Sequence, residues 1–139
     1  MSELTRKDVI QILAIAGEMT RLTGVDLAGL DLSGLNLSGA DFSYANLTGC
    51  NLENAFCYRT IFAFANMTDA NMVYVSLNEA NLTATNLTRA NLEKAMLKGA
   101  ILDGAKVTNL NLKGATLQQI SLMGVDDWDT AVTDEKTKW

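Results

Sequence analysis

The chain contains no histidine and no proline, only two cysteines, and aromatic side chains at just 6% of its 139 positions. Each shortage excludes something. Without histidine, the commonest general base near neutral pH and the commonest metal ligand are both missing. Without proline, every backbone N–H can donate, which suits a body whose main chain is paired throughout. Two cysteines do not make the disulfide framework of a small secreted domain. No stretch approaches the ~20 apolar residues of a membrane-spanning helix. The apolar run from Val9 to Ala16 is interrupted by Gln11 and lies behind Glu3 and Asp8, which makes it a poor signal peptide. The expectation is one soluble domain in the cytoplasm, with no membrane partner.

What the chain has in abundance is a repeat of five. From Leu27 to Leu122 a large apolar residue stands at 19 of 20 such sites, and Cys57 holds the remaining one. A period of five is neither the 3.6 of a helix nor the 2 of a strand, so it marks an internal repeat. Two residues before each centre the side chain is small or apolar, with Ala at 11 of the 20 sites and Cys50 at another. Between the two, Asn or Asp occupies 12 sites. The pair after the centre is mostly small or polar, as in Ser33-Gly34, Thr48-Gly49 and Glu93-Lys94.

Two inward residues flanking one outward residue make a short extended stretch, because alternate side chains of a strand face opposite ways. The next two positions carry the chemistry of a turn. Such a unit is too small to bury its own leucine, so neighbours stacked above and below must cover it, and the chain has to wind into a solenoid. Both cysteines fall at inward positions, where a reduced thiol behaves as a small hydrophobe.

Runs such as Ala80-Asn81-Leu82-Thr83-Ala84 and Ala90-Asn91-Leu92-Glu93-Lys94 closely resemble the A-(N/D)-L-x-x motif of the pentapeptide-repeat proteins, over about 100 of the 139 residues. The resemblance implies an all-β solenoid, a right-handed quadrilateral parallel β-helix with four pentapeptides per coil. Residues 25–44, 45–64, 65–84, 85–104 and 105–124 are then five coils within a repeat body at 25–124, a stack about 24 Å long at ~4.8 Å per step.

Bare solenoid ends expose unpaired edges, so caps are expected at 1–24 and 125–139. Residues 5–22 read as an amphipathic helix opened by a Thr5–Asp8 capping box. Ile12, Ile15, Ala16, Met19 and Leu22 form its apolar stripe, Lys7, Gln11, Glu18 and Arg21 face away, and Gly24 ends it. At the far end Trp128 is expected to cover the last coil. The stretch Asp134–Trp139 resembles the segment after the repeats in many cyanobacterial members, where Pro often follows, which leaves open whether the chain ends early.

The net charge is −5, with 16 acids against 11 bases and no basic stripe, so nucleic acid is not an expected partner. The resemblance also implies an alternative, a DNA-mimicking inhibitor or protector of a nucleic-acid enzyme such as a topoisomerase. Mimicry needs dense charge of one sign, whereas here the acids are mixed with Arg89, Lys94, Lys98, Lys106 and Lys113. No acidic pair lies in a pocket-like context, although Asp103 can approach Asp126 and Asp127 across coils. No catalytic residue, metal site or cofactor is expected.

Departures from the repeat mark a candidate binding surface. Residues twenty apart share a column, so Tyr44 and Phe64 occupy one outward position in adjacent coils. Phe56, Tyr58 and Ile61 replace polar residues on two neighbouring sides, and Met96 and Ile101 repeat the substitution two coils later. Outward aromatics grouped at one corner are suited to binding another protein. By contrast the stacked columns Asn46, Asn66, Asn86 and Asn51, Asn71, Asn91, Asn111 suit hydrogen-bond ladders and turn bracing. The reading is a non-enzymatic scaffold, expected to be monomeric, that recognises another protein through a side face.

Overall fold

The computed structural model describes residues 4–17 and 20–139. Its plan is set by backbone pairing in steps of twenty. Parallel bridges join Arg21 to Asp41, Asp26 to Asn46, Asp31 to Asn51 and Asn36 to Phe56, and the same step recurs up to Lys106 and Asp126. Four five-residue units therefore complete each turn of the chain, giving a four-sided stack. Among the described residues the pairings are isolated bridges rather than long strands. Each side offers only three extended residues before the chain turns.

The turns explain why five residues suffice. From Gly24 to Gly124 the last residue of every unit has positive φ, between 53° for Ala84 and 72° for Gly39. The next N–H then closes back on the centre's carbonyl, as from Leu30 to Leu27 at 3.1 Å. This is the arrangement of a type II turn, which needs positive φ at its third residue. Glycine supplies it at Gly29 and Gly34, but non-glycine residues adopt it at Tyr44, Arg59, Phe64, Asp69 and others.

The core is the two inward columns. Leu27, Leu32, Leu37, Phe42 and Leu47 are buried among the centres, interleaved with small residues such as Ala40, Ala45 and Cys50. Polar residues in the small column are tied to the coil below. Thr60 Oγ1 donates to the Leu37 carbonyl at 2.9 Å and Thr85 Oγ1 to that of Phe62 at 2.8 Å. Cys50 Sγ donates in the same way to Leu27 at 2.7 Å. Among the described residues no buried side-chain polar atom lacks a partner.

The N-terminal segment differs from the sequence expectation. Helix α1 runs over Arg6–Ala16, shorter than 5–22, and it begins with the expected Thr5–Asp8 capping box. Gly17, not Gly24, takes its C-cap. Thr20, Arg21 and Leu22 already form a side of the stack, since Arg21 bridges Asp41 and Leu22 N–H donates to the Asp41 carbonyl at 2.7 Å. Gly24 is accordingly a repeat turn with φ 68°. The apolar stripe is rotated as well: Val9 is buried with Ile12 and Leu13 against the core, while Ile15 is 88% exposed and Ala16 is exposed. Glu18 and Met19 lie outside the described residues. One valine with its i+3 and i+4 neighbours is enough to seat a three-turn helix.

At the other end the twenty-residue step stretches. Val132 pairs with Asn111 and Lys138 with Thr116. Each added residue is absorbed between bridges, the first beside the short 3₁₀ turn at Trp128–Thr130. The tail thus continues the pairing rather than only lying over it. Thr137 even repeats the inward threonine bond, donating to the Leu112 carbonyl at 3.1 Å. Trp128 packs partly buried against the core, edge-on to Trp139 at 5.8 Å.

Candidate functional site

The four sides are conveniently numbered by their outward bridge residues. Side I carries Asp26, Asn46, Asn66 and Asn86, side II Asp31, Asn51, Asn71, Asn91 and Asn111. Side III carries Asn36, Phe56, Ser76, Met96 and Thr116, and side IV Asp41, Ile61, Asn81, Ile101 and Ser121.

The Asn and Asp residues of sides I and II, from Asp26 to Asn111, use their side-chain oxygens internally. Each carboxamide or carboxylate oxygen accepts from the backbone N–H two residues on, as Asn46 does from Thr48 at 3.2 Å and Asn91 from Glu93 at 3.1 Å. At some rungs the amide nitrogen also donates to the preceding coil, from Asn46 to Asp26 at 3.0 Å, Asn71 to Asn51 at 3.1 Å and Asn111 to Asn91 at 2.9 Å. These bonds brace turns and help hold coils together.

Sides III and IV keep that pattern only at Asn36, Asp41 and Asn81, and elsewhere present other residues outward. Tyr44 and Phe64, on the edge between sides IV and I, stack at 5.0 Å with planes 5° apart, yet stay 66% and 52% exposed. On side IV, Ile61 is half-buried. Tyr58 stands on the other edge of that side, where its hydroxyl donates to Glu79 Oε2 at 3.2 Å and the Arg59 guanidinium lies 5.0 Å over its ring. Phe56 lies around the corner on side III, 57% exposed. The five residues therefore wrap a right-angled edge, with Tyr44, Ile61 and Phe64 reachable from one direction and Phe56 from another. Tyr74, half-exposed on the far edge of side III beneath the Lys94 ammonium at 5.2 Å, is an outward aromatic that the sequence reading passed over. Its place in the turn column between Asn54 and Lys94 was the available signal.

Charged groups at the edges are paired along the stack. Arg89 makes two bonds to the Asp69 carboxylate, at 2.7 and 2.8 Å, and Arg59 Nε donates to Glu79 at 2.7 Å. The guanidinium partners hold both carboxyls below their ordinary range. Asp103, Asp126 and Asp127 do not assemble into a site. Asp103 accepts from the Ser121 hydroxyl and the Met123 N–H, Asp127 accepts from the Thr108 hydroxyl, and Asp126 pairs with Lys106 through backbone. Among the described residues no three His, Cys, Asp or Glu side chains gather as a metal site would require.

Two small clefts lie among the described residues. One of about 110 Å³ is lined by Leu4, Asp26, Leu27, Ala28 and Leu30, and one of about 100 Å³ lies beside Tyr58 and Arg59. Cys50 and Cys57 are free and buried, and burial pushes their thiols up to about 11 and about 12, away from nucleophilic thiolate chemistry. Among the described residues no helix is long and apolar enough to cross a membrane.

The repeat itself identifies the chain's kin. The model for pentapeptide repeats matches in overlapping copies at residues 20–56, 40–78, 65–104 and 76–114. The chain belongs to the pentapeptide-repeat family. Pentapeptide-repeat proteins fold as right-handed quadrilateral β-helices, and solved relatives share that shape with this chain. A pentapeptide-repeat protein (Rfr23) from the cyanobacterium Cyanothece 51142 superposes with TM-score 0.79 at 26% identity, covering 94% of this chain and 99% of that one. HetL, a pentapeptide-repeat protein involved in heterocyst differentiation regulation in the cyanobacterium Nostoc sp. strain PCC 7120, gives TM-score 0.56 at 22% identity, covering 97% and 80%. No curated protein matches the sequence. The family match begins at residue 20, in agreement with the bridge at Arg21.

Proposed function

We propose that this pentapeptide-repeat protein is a non-enzymatic cytoplasmic scaffold that binds another protein through sides III and IV and their shared edges. The β-helix is a rigid column of about five coils, with α1 serving as the lid over its first coil. One observation carries the reading: the Asn and Asp side-chain oxygens of sides I and II are taken up by their own turns, whereas Tyr44, Phe56 and Phe64 present large apolar surface outward. Apolar and aromatic area of this kind marks protein-binding surfaces more often than catalytic ones. A nucleic-acid enzyme is a less complementary partner, because the edges alternate sign as Asp69 with Arg89 and Arg59 with Glu79.

The test is affinity capture from the native cell with the wild-type chain and with Tyr44→Ala/Phe64→Ala. Loss of a specific co-purifying protein, with an unchanged circular dichroism spectrum, supports the reading. An identical set of captured proteins sinks it.

A further inference from the structure

On side IV two isoleucines flank Asn81. Ile61 stands one coil before Asn81 and Ile101 one coil after it, both bridged to it through backbone. On the edge shared with side I the turn column reads Tyr44, Phe64, Ala84, Gly104, Gly124, with Ala84 level with Asn81. Large side chains lie before the midpoint and glycines after it. The aromatic stack stops at Ala84, so one face of the Phe64 ring is left open. The space at the glycines is also open: a side-chain carbon at Gly124 would meet nothing within 4 Å, and at Gly104 only Ala84, at 3.9 Å or more.

Consider a two-fold axis in the plane of side IV, perpendicular to the solenoid and level with Asn81. It brings each residue opposite the one equally far beyond the midpoint. Ile61 meets Ile101 of a second copy, Phe64 faces Gly104 and Tyr44 faces Gly124. Met123, 74% exposed, falls beside the second copy's Tyr44 ring, a favourable sulfur–aromatic contact. Asn81 meets itself, and a carboxamide carries both the donors and the acceptor for a reciprocal pair. A two-fold contact requires such self-complementarity of one patch. Laying two copies side by side in the same direction instead sets Phe64 against the Tyr58–Arg59 edge, bulk against bulk.

We propose that side IV is the contact face of an antiparallel homodimer of this chain, with Asn81 at the two-fold axis. The proposal rests on the reading that this side binds protein, and names the partner as a second copy. The face measures roughly 24 by 12 Å, which places the contact below the standard size of stable interfaces and makes the dimer weak.

Sedimentation equilibrium from micromolar to millimolar concentration tests it. The expected result is a concentration-dependent monomer–dimer equilibrium that Ile61→Glu weakens at least tenfold. Adding Ile101→Lys to Ile61→Glu restores dimerisation, since the two positions face each other across the antiparallel contact. Chains with Ile61→Cys are joined by a short bis-maleimide to chains with Ile101→Cys but not to one another, while the buried native cysteines stay unreacted. A protein monomeric throughout the range overturns the dimer. So does a dimer indifferent to Ile61→Glu, or cross-linking of Ile61→Cys to itself. A monomeric protein that still loses a captured protein on Tyr44→Ala/Phe64→Ala overturns only the dimer and leaves the scaffold reading standing. Loss of neither overturns both.

Discussion

The guanidinium of Arg6 donates to the carbonyl of Asp31 at 2.7 Å and to that of Ser33 at 2.9 Å. One coil higher, the equivalent carbonyls of Asn51 and Glu53 are held by the N–H groups of Leu32 and Gly34, at 2.7 and 2.9 Å. The forked side chain therefore takes the place of the backbone that a preceding coil would supply. A bare solenoid end exposes such acceptors, and arginine's rigid fork suits two of them at once.

Arg6→Ala should lower stability by about 1–2 kcal/mol, the scale of charge-assisted bonds that are partly exposed. Arg6→Lys should recover only part of this, because an ammonium does not span both carbonyls. Thermal melting of the three proteins checks the order. Equal midpoints would mean that the fork contributes nothing.

The turns with non-glycine residues give a second test. Ala84 sits at φ 53° and brings no edge partner of its own, unlike Arg89 with Asp69 or Tyr44 with Phe64. Ala84→Gly should raise stability by about 0.5–1 kcal/mol, because glycine adopts positive φ without the Cβ penalty. Arg89→Gly should do no better than break even, since the relief is offset by loss of the Asp69 pair. Denaturant midpoints at low protein concentration separate the two.

The small column predicts a tolerated exchange. Thr60 and Thr85 bond the centre carbonyl of the coil below just as Cys50 does. Cys50→Thr should therefore leave the melting temperature nearly unchanged, while Thr60→Val should cost about 1 kcal/mol through the lost bond. In the native protein neither Cys50 nor Cys57 should react with a thiol reagent until denaturant is added. Labelling on the native timescale would show that the core opens locally.

Acid should destabilise the fold. Asp69 and Glu79 are held low by Arg89 and Arg59, and Asp134 chiefly by the Gly114 N–H. A carboxyl with a depressed folded-state pKa adds stability that is complete above its unfolded value, near 4, and disappears as pH falls through the folded value. Melting temperature should hold between pH 7 and 5 and drop toward pH 2. The drop should be smaller in Asp134→Asn, and added salt should weaken the Asp69 and Glu79 share because those pairs are exposed. A flat profile down to pH 2 would contradict this.

Much of the fold was legible because the repeat is local. One large residue every fifth position, flanked by a small one and a turn pair, describes both a side and its corner, so the inward positions and the buried cysteines follow from spacing. The columns twenty apart follow once the family resemblance supplies four units per coil. The ends were less legible. Leu22 fits a helical stripe and a repeat centre equally well, and only its bond to the Asp41 carbonyl decides between them. Ile15 looks like core by periodicity but faces outward, because α1 packs on the core through Val9, Ile12 and Leu13 alone. In the tail the bridges at Val132 and Lys138 depend on one added residue each, and so fall outside any strict period.

The sequence by itself determined that the chain must wind into a solenoid with leucine and alanine inside, since a five-residue unit cannot bury its own large residue. Four sides per coil was what the family resemblance implied, and the bridges in steps of twenty show it. Only the tertiary structure decided what each side presents. It joined Tyr44 to Phe64 and Asp69 to Arg89 across twenty residues, set Phe56 around a corner from Ile61, and put Arg6 against an open edge twenty-five residues away. Contacts between coils depend on how the turns aim neighbouring side chains, and that geometry is not written in any single repeat.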